Sequence, residues 1–358
     1  MNMGIQSRQS NLELYRCISM LLIVACHWGL LTDLTQIVYD NQLTAPSNFY
    51  YILRMWGKMG INCFLLITGY FMCMSHITVR KFIKLYLQVI FYSFSIYVIF
   101  SVLGGSEYSI LDWLLLAIPC REIESDNFVH AFLVWWLFIP LLNILIKGMD
   151  CKSHKLLILL SVIIFTILPM LPDSIYRISI NPLCWYSVIY LIASFIRKYP
   201  DRIFRSSSAK VWGMITLVCL VTDMLSVFGF ITLSHEMGRF ISPYKFMVDS
   251  NAPLALATAF SSFMFFKNLK IKHNALINAV GSTTFGILLI HSNCEAIRRW
   301  LWTDVFDCVG HYDTPYYWLY ALSGILIVYF SCSLIEYLRI HSIEKWSLKW
   351  LDKKYFKK

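Results

Sequence analysis

Apolar runs recur along the whole chain, separated by short polar stretches. Their length, about 17–25 residues, is what an α-helix needs to cross the hydrocarbon core of a bilayer. They run continuously apolar, whereas the strands of a membrane β-barrel alternate apolar and polar positions. The pattern predicts ten spans, at about residues 12–31, 58–76, 82–103, 128–147, 155–172, 183–197, 209–233, 246–266, 278–297 and 315–338. The sixth is short, and residues 108–118 read as an interfacial or re-entrant piece. The expected fold is an all-α polytopic membrane protein of about ten helices, with one membrane domain over residues 1–338 and a tail over residues 339–358.

Composition agrees. The 358 residues are 58% hydrophobic and only 15% charged, with a mean hydropathy of +0.60, too few charges to cover a soluble domain of this length. The net charge of +10 raises the question of nucleic acid, and its placement answers it. Of the 31 Lys and Arg, eight fall on one side of the expected spans: Arg54, Lys58, Arg121, Arg177, Arg239, Lys245, Arg298 and Arg299. The other 23 fall on the side that holds both termini. The positive-inside rule therefore puts both termini in the cytoplasm and accounts for the basic balance, with no nucleic-acid partner. The eleven Cys include no C-x-x-C pair, and they read as small buried residues. No small-residue cleavage site follows the first apolar run, which is expected to stay as a span. The tail, IEKWSLKWLDKKYFKK, is basic and aromatic and is expected to lie on anionic lipid at the inner leaflet.

Charges inside a membrane are costly and face a protein interior or a polar cavity. The first span, LELYRCISMLLIVACHWGLL, carries Arg16 and His27. Eleven residues at about 100° each make three turns plus roughly 20°, so both project from one face, about 16 Å apart along the axis. Arg16 also fits a snorkelling or topology-setting charge, and His27 a hydrogen bond between helices. His130, Asp223, His291 and Glu295 are further polar groups in spans, with Glu295 at i+4 from His291 on the same helix face. Trp135, Trp136, Trp185 and Trp300, near span ends, read as an interfacial belt. Arg80, Lys81 and Lys84 open the third span, where they either serve topology or hold an anionic phosphate ligand from the cytosol.

Five stretches together resemble membrane-bound acyltransferase family 3, which transfers acyl groups, often acetyl, to bacterial surface glycans. ELYRCISMLLIVACH carries the Arg16-x10-His27 spacing of that family's first helix. INCFLLITGYFM is similar to its F-x-I-S-G-Y/F segment, with Thr68 and Gly69 for Ser-Gly. VRKFIKLYLQVIFYS resembles the basic stretch that follows, VHAFLVWWLFIPLL the family's H-x-W-F-L…P-L-L helix, and STTFGILLIHSN its late segment ending in a histidine, here His291. The chain departs in having Glu13 for the usual Asp, Lys84 where Arg is common, and Cys17 where Gly follows Arg16. The fused hydrolase-like domain of some members is not expected here.

The resemblance implies an integral-membrane O-acetyltransferase of a bacterial cytoplasmic membrane. It implies acetyl-CoA or another acyl-CoA as donor, a polysaccharide or lipid-linked saccharide as acceptor, and no permanently bound cofactor. The donor's phosphates are expected near Arg80, Lys81 and Lys84. His27 is expected to do the chemistry, as a base or as a transient acyl carrier, since an imidazole exchanges protons near neutral pH. Arg16 would fix the donor, Glu13 would pair with Arg16, and His291 or Glu295 would orient the acceptor. The competing class is a transporter or flippase for a glycan or small solute. The sequence shows no convincing pair of interrupted spans in matching halves to support it. A polymerase-like glycosyltransferase would have a longer outer loop than residues 32–57 or 104–127.

Overall fold

A computed structural model describes residues 8–355 except 33, 41–42, 76, 104–108, 110, 112–114, 116–117, 119–127, 172–174, 176–180 and 203–207. The expected piece at 108–118 lies largely outside the described residues. Those described form helices and connections, with no strand among them. In chain order the helices are α1 (Ser10–Leu30), α2 (Leu34–Asp40), α3 (Ala45–Arg54), α4 (Gly57–Met72), α5 (Val79–Val102), α6 (Phe128–Gly148) and α7 (Cys151–Val162). There follow α8 (Pro182–Lys198), α9 (Ala209–Glu236), α10 (Pro253–Asn268), α11 (Ala275–Ser292), α12 (Glu295–Arg299), α13 (Tyr317–Arg339) and α14 (Lys345–Tyr355).

The chain itself supplies the helix starts. Thr78, Asp150, Asn181 and Asn274 cap α5, α7, α8 and α11 by accepting hydrogen bonds from the backbone N–H of Lys81, Ser153, Leu183 and Ile277. Pro182 and Pro253 open α8 and α10, where a missing N–H costs nothing.

A helix occupies each of the ten expected places, but among the described residues only seven helical stretches are long and apolar enough to cross a membrane, α7 among them because it continues through wider and then tighter turns to Met170. The other three, α4, α8 and α10, have 16, 17 and 16 residues. At 1.5 Å per residue they reach about 24–26 Å, short of the roughly 30 Å hydrocarbon core. They sit inside the bundle: α4 packs between α1, α8 and α10, and α8 is buried from Trp185 to Ile196 except at Ser187. Their surroundings are protein, so bilayer thickness does not set their length. The tenth expected span is part of a longer rod, in which α13 runs through wider turns at Ile340–Glu344 into α14.

α1 is the hub, packed against α3, α4, α10, α11 and α13. Side-chain hydrogen bonds fix its entry: Ser10 Oγ to Asn278 Oδ1 at 3.0 Å, and Tyr15 Oη with Ser262 Oγ at 2.8 Å. Close approach is bought with glycine: a Cβ at Gly60 of α4 would stand 2.6 Å from Ile23 of α1. The periphery is apolar and exposed, with Leu141 and Ile144 on α6, Leu217 and Leu225 on α9, and Phe330 and Leu334 on α13. Such belts are lipid-facing surface.

Two expectations are corrected. Trp135, Trp136 and Trp185 do not form an interfacial belt; they are buried in the bundle, where the Trp135 and Trp185 indoles donate to Ser187 Oγ and Asn62 Oδ1. Bulk and one donor suit an internal polar contact as well as a headgroup. The ninth span does not run to 297: α11 ends at Ser292, and Cys294 is extended (φ −142°, ψ 167°) before α12 begins.

Candidate active site

The histidines of the first and ninth expected spans meet. His27 Nδ1 lies 2.9 Å from His291 Nε2. His291 Nδ1 lies 2.6 Å from the Ile287 carbonyl oxygen, one turn back on α11. A carbonyl only accepts, so His291 Nδ1 carries a proton and, in a neutral ring, Nε2 is the acceptor. His27 Nδ1 then donates to it, which leaves the lone pair of His27 on Nε2. His291 is fully buried, backed by Trp302, which packs in turn on Trp28.

His27 is half-buried and lines a cavity of about 640 Å³. Toward Arg16, Met20, Ile23, Ile61 and Phe64 make an apolar wall. At the His27 end the lining turns polar, with Arg54, Lys58, Tyr244, Asp249, Asn293 and Arg298. The cavity is thus lined by an imidazole that protein packing, rather than water, holds in orientation.

Arg16 does not line the cavity; its guanidinium sits 5.7 Å from the ring centroid of Phe64, which does. Glu13 is buried, with Oε2 3.8 Å from Arg16 and 3.5 Å from Arg8. Its carboxylate lies on Gly281 of α11, where a Cβ would overlap it. The fixed cation is thus poised one ring below the cavity wall, on the same helix as His27.

The expected phosphate cluster is occupied from within. Arg80 makes a two-pronged pair with Asp352 of α14 (2.6 and 2.7 Å), and Lys84 pairs with Glu344 at 2.6 Å. Lys81 is exposed on the same turn. Beside them is a polar network that the sequence reading missed. Glu336 accepts from Gln88 (2.9 Å), Tyr92 (2.6 Å) and Arg339 (2.7 and 2.8 Å), and Arg339 donates onward to Glu344 at 2.6 Å. A Glu and an Arg in one apolar helix were the available signal.

Glu295 does not share a face with His291, because the helix breaks between them; it is exposed and does not line the cavity. Asp223 is buried and bonded to Thr258 at 2.7 Å, away from the cavity lining. His130 is half-buried near the start of α6 and does not line it either. The cavity residues Arg54, Lys58, Arg298 and Tyr244 were missed as site residues, although three of them stand among the eight cations on the sparsely charged side.

The sequence model of acyltransferase family 3, described as an acyltransferase domain, matches residues 9–336. The chain belongs to acyltransferase family 3. The match takes in α1 with Arg16 and His27, the cavity and His291, and it stops within α13. Family membership and the apolar helices make this a membrane acyltransferase. No curated protein and no solved structure gives a significant match.

Proposed function

We propose that this acyltransferase moves an acetyl group, or a closely related acyl group, from cytosolic acyl-CoA to a hydroxyl of a surface or lipid-linked polysaccharide in a bacterial cytoplasmic membrane. The observation that carries the reading is the His27–His291 hydrogen bond at the cavity wall, on the helix that also holds Arg16. His27 Nε2 accepts the proton of the acceptor hydroxyl as its oxygen attacks the thioester carbonyl. The tetrahedral centre then expels the CoA sulfur, which takes the proton back from His27. The products are an ester and CoA–SH. His291 fixes the His27 ring through Nδ1, as the orienting partner of a general base does. Arg16 supplies positive charge toward the donor end of the cavity.

CoA cannot cross the bilayer, so its phosphates dock at the cytosolic face, on Arg80, Lys81 and Lys84. There they exchange with Asp352 and Glu344. The Arg80–Asp352 pair suits such exchange, since its side chains are 44% and 43% exposed and worth little as a surface pair.

The test follows label from radioactive acetyl-CoA into glycan, in membranes carrying equal amounts of wild type, His27→Ala and Arg16→Ala. Labelling that His27→Ala abolishes supports the reading. Full labelling by His27→Ala removes His27 from the chemistry.

A further inference from the structure

The end of the cavity beyond His27 is built for negative charge. Arg54, Lys58 and Arg298 line it, against a single carboxylate, Asp249, among the described lining residues. Arg54 is held by neutral groups: it donates to Tyr50 Oη at 2.8 Å and to Thr35 Oγ1 at 3.4 Å, and it sits over the Tyr50 and Tyr244 rings. Hydroxyls and ring faces position a guanidinium without neutralising it. Among the described residues no carboxylate lies within ion-pair distance of Arg54 or Arg298.

Two polar atoms on lining residues are buried without a hydrogen-bond partner, Arg298 Nε and Tyr244 Oη. Both can donate, and a buried donor without an acceptor costs about 1–3 kcal/mol. A ligand bearing acceptor oxygens would satisfy both.

Their position adds weight. These three cations are among the eight Lys and Arg on the side where charge bias expects few. Topology does not explain them, whereas it explains the basic inner rim. Arg54 and Lys58 flank the junction of α3 and α4, four residues apart, and tertiary packing brings Arg298 of α12 to the same wall.

We propose that this wall is the acceptor subsite and that it selects a saccharide carrying an anionic group, a carboxylate or a phosphate, held by Arg298 and Arg54 while a nearby hydroxyl reaches His27. The proposal rests on the acyl-transfer reading for which ligand occupies the cavity, but binding tests it separately. Tyr244 would offer its hydroxyl and ring to the sugar.

The experiment is calorimetric titration of the full-length protein in lipid nanodiscs. The probes are matched trisaccharides with one residue varied: glucuronate, its carboxyl-reduced glucose counterpart, and glucose 6-phosphate. The expected result is at least about tenfold tighter binding of one or both acidic probes than of the neutral one, the worth of a charge-assisted contact. Which acidic probe wins tells carboxylate from phosphate. Arg298→Gln and Arg54→Gln should each remove most of the preference, Arg298→Lys should keep part of it, and added salt should weaken it. Equal affinity for all three probes overturns the proposal, as does a preference that survives in the Arg54→Gln, Arg298→Gln double variant. His27→Ala should retain the preference. If it does while wild type shows no label transfer from acyl-CoA, the anion subsite stands and the acyl-transfer reading falls.

Discussion

His27 and His291 stand 264 residues apart in the chain and 2.9 Å apart in space. α1 packs along α11, and the Ile287 carbonyl fixes the His291 ring from behind. The carbonyl sets one tautomer, that tautomer sets the next, and the unoccupied lone pair comes to rest on His27 Nε2. The same packing puts His27 on a cavity wall.

This relay separates the roles of the two imidazoles. His27→Ala should lower kcat for acyl transfer about 10²- to 10⁴-fold, the usual worth of a positioned general base. His291→Ala should lower kcat about 10- to 100-fold with KM for both substrates little changed, because it frees the ring without removing the base. Steady-state label transfer checks both, and a His291→Ala enzyme with wild-type kcat would show that the ring needs no orienting partner.

On the proposed docking of the donor, Asp352 competes with its phosphates for Arg80. Asp352→Asn should lower KM for acyl-CoA severalfold and leave kcat unchanged, while Arg80→Ala should raise that KM. Neither should change stability by more than about 1 kcal/mol, as expected of an exposed pair. An unchanged donor KM in both variants would place the CoA phosphates elsewhere.

Glu336 and Arg339 are different, being buried and bonded in both directions. Glu336→Ala leaves Arg339 with only Glu344 and strips Gln88 and Tyr92 of their acceptor. A loss of about 3–5 kcal/mol is expected, as for other buried pairs broken on one side. Thermal unfolding of the detergent-solubilised variant measures it. A shift of less than a degree or two would mean the network relaxes freely.

Gly281 leaves room for the Glu13 carboxylate. Gly281→Ala should displace Glu13 from Arg16 and reduce transfer, whereas Gly281→Ala in a Glu13→Ala background should cost less than the sum of the two single changes. Additive losses would show that the glycine serves only helix packing.

The apolar runs placed a helix at each of ten sites, because hydrocarbon length and backbone hydrogen bonding leave a spanning chain few choices. The Arg16–His27 pair was legible too, since a helix repeats every 3.6 residues and a charge in lipid stands out. The late histidine was visible as a motif around His291. Other features were set by neighbours. The short α4, α8 and α10 are held inside the bundle, so hydropathy alone overstates their need to span. Trp185 reads as a belt residue until Asn62 takes its N–H. Glu295 reads as a helical neighbour of His291 until the extended Cys294 breaks the helix between them. Local periodicity determines which residues share a face of one helix. Only packing decides what that face meets, and so the contact of His27 with His291, the seating of Arg80 on Asp352, and the gathering of Arg54, Lys58 and Arg298 on one wall belong to the tertiary structure.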